Sequence, residues 1–82
     1  MHISVEISYY PLVDNFERAI NDLLELLNQQ STISIEVGSM SSVLNGDYDE
    51  LMQLLTGSMK TLMQQYPSVF NLKIANACEV KS

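Results

Sequence analysis

Three carboxylates, Asp47, Asp49 and Glu50, follow closely on a run of hydroxyls around a thioether, Ser39-Met40-Ser41-Ser42, with Gly38 before that run and Gly46 after it. These residue types could support four chemistries: general acid–base catalysis by paired carboxylates, a phosphate cradle between glycines, calcium binding, or recognition of a ligand by hydroxyls. The spacing weighs against the first three. A phosphate-binding loop needs a Lys after its second glycine, whereas Gly46 is followed by Asp47. A twelve-residue calcium loop needs regularly spaced oxygen ligands that Asp47 to Glu50 does not supply. Asp47 with Glu50 three residues later is the signature of a helix N-cap, and Asp49 falls in the first turn, where the helix dipole favours an anion. The acids therefore read first as a cap and only second as an acid–base pair.

The other reactive side chains are sparse. A single cysteine, Cys78, excludes an internal disulfide, and with His2 as the only imidazole neither a metal-ligand cluster nor a catalytic triad can be assembled. Cys78 shares its alternating register with Leu72 and Ile74 and reads as a small buried hydrophobe. Asn76 shares that register too. A buried amide is costly without partners, so Asn76 either bonds locally or reads a ligand. Hydroxyls, an amide and tyrosines without a nucleophile or a metal suit recognition better than catalysis. The expectation is a binding protein, neither an enzyme nor the holder of a cofactor.

Six elements must position these groups. Residues 2–9 alternate, with Ile3, Val5, Ile7 and Tyr9 on one face and His2, Ser4, Glu6 and Ser8 on the other, a half-buried strand that Pro11 is expected to stop. Asp14 and Glu17 form a capping box for a helix from about Asn15 to Gln30, whose Phe16, Ile20, Leu23, Leu24 and Leu27 make one apolar face. Thr32–Val37 and Met40–Leu44 read as a hairpin turning through Gly38 and Ser39, followed by a turn at Asn45-Gly46. A second helix runs from Tyr48 until Pro67 ends it, with Gly57 in its middle read as a point of close packing against the sheet or the other helix, or else of approach by a ligand or partner. A fourth strand, Leu72–Val80, completes a βαββαβ order. That order specifies an α+β, ferredoxin-like domain, a four-stranded antiparallel sheet in the order 4-1-3-2 with two helices on one face, spanning residues 1–82.

Composition bounds the rest. A chain of 82 residues buries only about 60–65% of its unfolded surface, and a core of that size yields about 3–5 kcal/mol unless association adds to it. Only 17% of residues are charged, which suits a chain that hides surface in a homodimer, through the small weakly polar residues of the open sheet face or through sheet edges. A net charge of −6 repels phosphate backbones and argues against nucleic acid, while favouring a cationic ligand. No apolar run reaches the roughly 20 residues of a membrane span, and the N-terminus lacks a basic leader, so the expected location is cytoplasmic, without a membrane partner.

Two segments resemble a known family. "ISYYPL" at Ile7–Leu12 and "IEVGSMSSVLNGDYDEL" at Ile35–Leu51 are similar to motifs of the YkoF-like thiamine- and hydroxymethylpyrimidine-binding proteins, in a single-repeat form. Ser8 and Tyr10 match the first motif; Gly38, Met40, Ser41, Gly46, Asp47 and Asp49 match the second, and Ser42 stands where a Thr is common. The resemblance implies a non-enzymatic binder of thiamine or its pyrimidine moiety, serving uptake or salvage of the vitamin. With the hydroxyl run and the amide singled out above, the expectation is that Ser39, Met40, Ser41 and Ser42, together with Ser8, Tyr10 and Asn76, line the ligand pocket. YkoF-type chains carry two such units in tandem, so a homodimer is the natural substitute here. The alternative reading is a ferredoxin-like oligomerisation module, or a regulatory amino-acid-sensing one, with no thiamine ligand.

Overall fold

The computed structural model describes residues 1–77; Cys78 and the expected strand end at Val80 lie outside the described residues. The elements are β1 (His2–Pro11), α1 (Phe16–Leu27), β2 (Ser34–Val37), β3 (Ser42–Asp47), α2 (Tyr48–Gln65) and β4 (Ser68–Ala75). The four strands form one antiparallel sheet in the order β2-β3-β1-β4, which is the expected 4-1-3-2 arrangement of a ferredoxin-like domain. Period-two alternation sends Ile3, Val5 and Ile7 of β1 and Leu44 of β3 to one face. There they meet Leu23 and Leu27 of α1 and Leu51, Leu55 and Leu62 of α2, all buried. Full burial of each such side chain contributes about 1.5–3 kcal/mol.

β1 outruns its expected end. The β1–β3 ladder stops at Ile7 opposite Ser42, but β1–β4 pairing continues to Pro11 opposite Ser68. Pro11 thus sits where β1 has one neighbouring strand, a half-paired position that tolerates a missing donor. β4 correspondingly starts at Ser68, immediately after the proline that ends α2, and stops at Ala75. Phe70 of β4 stacks on its cross-strand partner Tyr9, centroids 4.6 Å apart and rings 6° from parallel.

The Asp14–Glu17 capping box does not form. Asn15 is the N-cap of α1, with no side-chain hydrogen bond, and Phe16 is left exposed instead of joining the core. The helix also ends early, at Leu27; the side-chain Nδ2 of its C-cap Asn28 donates to the Leu24 carbonyl at 2.8 Å, beside the last helical backbone bond from the Asn28 N–H at 3.1 Å.

Asn45-Gly46 is not a turn. Both residues lie inside β3, opposite Ser4 and Ile3, and the chain passes from Asp47 at the strand end directly into α2. Gly46 is needed for close approach: a Cβ there would stand 3.1 Å from Cγ1 of the buried Ile33. Conversely, Gly57 packs against nothing, since a Cβ added to it would meet open space. An exposed mid-helix glycine only costs backbone entropy, so Gly57→Ala is expected to stabilise by about 1 kcal/mol, which raises Tm by about 4–8 °C in a domain of this size. A thermal melt showing no rise would mean that another surface presses on α2 at that point.

Candidate functional site

The early stop of the β1–β3 ladder opens a candidate site. Beyond Ile7, β1 has β4 on one side only, and the loop 38–41 joining β2 to β3 stands beside its free flank. The Gly38 N–H closes that loop by donating to the Ser41 carbonyl at 2.8 Å, which puts Ser39 and Met40 at the tip, one residue later than the turn expected at Gly38-Ser39. The Ser41 hydroxyl ties the loop to β1 by donating to Glu6 Oε2 at 3.0 Å. Ile20, Leu23 and Leu24 of α1 line the gap from the helix side without closing it.

A cleft of about 250 Å³ results, walled by Ile7, Tyr9, Tyr10 and Val37 with the α1 leucines, and bordered by Ser39, Met40, Ser41 and Ser42. Val37, whose alternation with Ile33 and Ile35 in the second strand would point it at the core, is 60% exposed because this corner of the sheet opens into the cleft. Ser42 faces the same side as Leu44 and is 7% exposed, a hydroxyl where the strand pattern calls for hydrocarbon. No fully buried side-chain nitrogen or oxygen among the described residues lacks a hydrogen-bond partner, so the polar groups available to a ligand are those at the cleft surface. Apolar walls with a few convergent hydroxyls are the composition of a small-molecule site.

A second cleft, of about 230 Å³, opens on the other face of the sheet at the same corner. Glu6 and Ser8 of β1 lie directly opposite Lys73 and Asn71 of β4, and these four line it together with Tyr10, Met40 and Ser41. Of the residues expected to bind a ligand, Tyr10, Ser39, Met40, Ser41 and Ser42 therefore meet at the first cleft, while Ser8 lies in the second. Asn76 joins neither. It is exposed beyond the end of β4, next to Ala75, which pairs with Ser4; Tyr10 lies six residues further along β1, about 20 Å away. The amide that the register brings to this corner is Asn71, which an alternation beginning at Leu72 leaves outside the strand. The α1 side chains were legible as an apolar face, but not as a face that stops short of covering the sheet.

The acids are elsewhere. Asp47 pairs with His2 at the far end of β1, so β3 holds the carboxylates and the serine loop apart. Asp47 Oδ2 accepts from the backbone N–H groups of Asp49 and Glu50 at 3.1 and 3.4 Å. These bonds, with the Glu50 N–H foremost and the Met1 ammonium beside it, hold the Asp47 carboxyl below its ordinary value. Glu50 does not complete the box; its Oε1 accepts from the Thr32 hydroxyl at 2.7 Å. Among the described residues no cluster of His, Cys, Asp and Glu has metal-binding geometry.

The sequence model of one family, described as thiamine-binding protein, matches residues 5–80. The chain belongs to the thiamine-binding protein family. The resemblance carried by Ile7–Leu12 and Ile35–Leu51 therefore points to the right family. A protein of Streptococcus pneumoniae is 29% identical to this family member and superposes with a TM-score of 0.83 over 98% of this chain and 90% of its own. A candidate thiamine biosynthesis/salvage protein of Thermotoga maritima, 21% identical, has a TM-score of 0.82 over 99% and 90% of the two chains. A hypothetical protein of Methanocaldococcus jannascii, 22% identical, has a TM-score of 0.81 over 98% and 84%. The latter two likenesses speak for the fold alone. No curated protein matches the sequence.

Proposed function

We propose that this member of the thiamine-binding family binds thiamine or its hydroxymethylpyrimidine moiety without altering it chemically, in the cleft between α1 and the β2–β3 loop. The observation that carries the proposal is the composition of that cleft, hydrocarbon walls bordered by the hydroxyls of Ser39, Ser41 and Ser42. An aminopyrimidine is flat, with ring nitrogens that accept hydrogen bonds and an exocyclic amine that donates them. Hydroxyls serve both needs, Met40 offers a polarisable thioether, and Tyr10 an aromatic face. Hydroxyl, phenol, thioether and hydrocarbon suit holding a ligand better than moving its protons.

The binder acts in the cytoplasm, in uptake or salvage of the vitamin, and works as a homodimer. Self-association is favoured by the low charge content and by edge strand β4, whose Val69 and Ile74 are exposed. The net charge of −6 disfavours nucleic acid as a partner, and no helix among the described residues is long and apolar enough to cross a membrane.

Calorimetric titration with thiamine and with hydroxymethylpyrimidine tests the proposal. Saturable heat is expected with at least one ligand, and Ser41→Ala is expected to weaken binding by roughly three- to tenfold, the effect of losing one neutral hydrogen bond. Heats of dilution alone with both ligands would refute it.

A further inference from the structure

We infer that the cleft on the open face of the sheet is the second half of the ligand site and takes the cationic ring of a two-ring ligand, with Glu6 as counter-charge and Lys73 as the group displaced. The inference rests on the function proposed above and extends it to the part of the ligand that the first cleft does not hold.

The two clefts are not independent. They meet across Tyr10, Met40 and Ser41, which line both. At about 250 and 230 Å³, each falls below the range of roughly 300–1,000 Å³ that encloses a drug-sized ligand, while the two together lie within it. A ligand of two rings joined by a single atom can bend around the loop tip and place one ring on each side. Met40, 80% exposed at that tip, is unbranched and can adjust to the link between the rings.

The halves differ in chemistry as such a ligand requires. The helix-side cleft has hydroxyls and hydrocarbon but no charged lining residue, suited to a neutral aminopyrimidine. The open-face cleft contains Glu6, whose side chain is 27% exposed and is aligned by the Ser41 hydroxyl. Lys73 faces Glu6 from the adjacent strand but does not grip it. Its ammonium is 3.7 Å from Oε1, beyond hydrogen-bonding distance, on a side chain 77% exposed. A loose, solvated pair of this kind contributes little to the fold and can be exchanged. A quaternised heteroaromatic ring spreads its charge over a flat, weakly hydrated surface, so it loses less than an ammonium on leaving water and can also rest on the Tyr10 ring. Ser8 and Asn71, paired across β1 and β4, lie in the same cleft to receive a hydroxyl-bearing arm. On the same face Glu36 stands beyond Val43, which separates it from Glu6, so the surrounding field also favours a cation.

Opposite effects of the two charges are the signature. Titration of the full chain with thiamine and with hydroxymethylpyrimidine, which lacks the cationic ring, compares wild type with Glu6→Gln and Lys73→Met. Glu6→Gln is expected to weaken thiamine at least tenfold and to leave hydroxymethylpyrimidine within about twofold. Lys73→Met, by removing a competing cation, is expected to tighten thiamine several-fold and leave hydroxymethylpyrimidine unchanged. Equal weakening of both ligands by Glu6→Gln, or no effect of either variant on thiamine, overturns the inference while the proposed function stands. Wild-type protein that binds neither ligand overturns both. A thermal melt of each variant, expected within a few degrees of wild type, separates loss of recognition from loss of fold.

Discussion

Leu55→Ala is expected to leave a large part of the protein unfolded in buffer without denaturant. Leu55 is wholly buried near the middle of α2, in the cluster that joins Ile3, Val5 and Ile7 of the sheet to Leu23 and Leu27 of α1. Removing its isopropyl group beyond Cβ takes away transfer free energy and opens a cavity, at a cost of about 2–5 kcal/mol. Against this stands a core that supplies only about 3–5 kcal/mol in a chain of this length. One substitution therefore consumes most of the margin. Met63→Ala is the control, because Met63 lies on the same helix but is exposed, and a surface change of this kind shifts stability by about 0.5 kcal/mol or less. Urea unfolding followed by circular dichroism compares the two. Leu55→Ala should lose its folded baseline, whereas Met63→Ala should keep the wild-type midpoint. Equal midpoints would mean that the layer between α2 and the sheet is not what holds the protein together.

The second large effect separates recognition from stability. Ser42→Ile is expected to abolish binding of thiamine and hydroxymethylpyrimidine while keeping or raising Tm. Ser42 lies on the helix-facing side of β3, opposite Ile7 and two residues from the buried Leu44, so a β-branched residue suits its backbone and its neighbours. An isoleucine would bury apolar surface that the serine does not offer, and it would do so by filling part of the cleft that Ser42 lines. A fall in affinity of more than about 100-fold is expected, because the ligand loses both volume and a hydrogen bond. Ser42→Ala removes the hydroxyl but leaves the space, and should cost only about 0.5–1.5 kcal/mol of binding. Titration of both variants beside their thermal melts reads the two quantities. Undiminished binding by Ser42→Ile would place the ligand outside the helix-side cleft. A rise in Tm with loss of binding would show that the serine is kept at the expense of stability, as functional positions often are.

The order and type of the six elements were legible in the sequence because they depend on local periodicity. The alternation of Ile3, Val5 and Ile7 and the helical recurrence of Leu51, Leu55 and Leu62 each specify a buried face without reference to the rest of the chain. Asp47 was readable as a cap for the same reason, since its partners are the backbone N–H groups of the next turn. The serine loop could be singled out as well, because hydroxyls interrupt an apolar pattern at Ser41 and Ser42. Its resemblance to the thiamine-binding family lay in the same stretch.

Only the tertiary structure decided which strand ends where, and the site depends on those ends. Gly46 reads locally as a turn, but Ile33 requires it inside β3, and Ile33 reaches it only through the fold. Lengthening β3 to Asp47 carries the acids to one end of the strand and leaves the serines at the other. Asn71 lies within β4 and Asn76 beyond its end, and only the pairing of β4 with β1 shows that Asn71 lies beside Ser8 at the candidate site while Asn76 follows Ala75 at the other end. Periodicity tells a residue which face it belongs to. Register, set by packing between segments distant in sequence, decides which residues meet there.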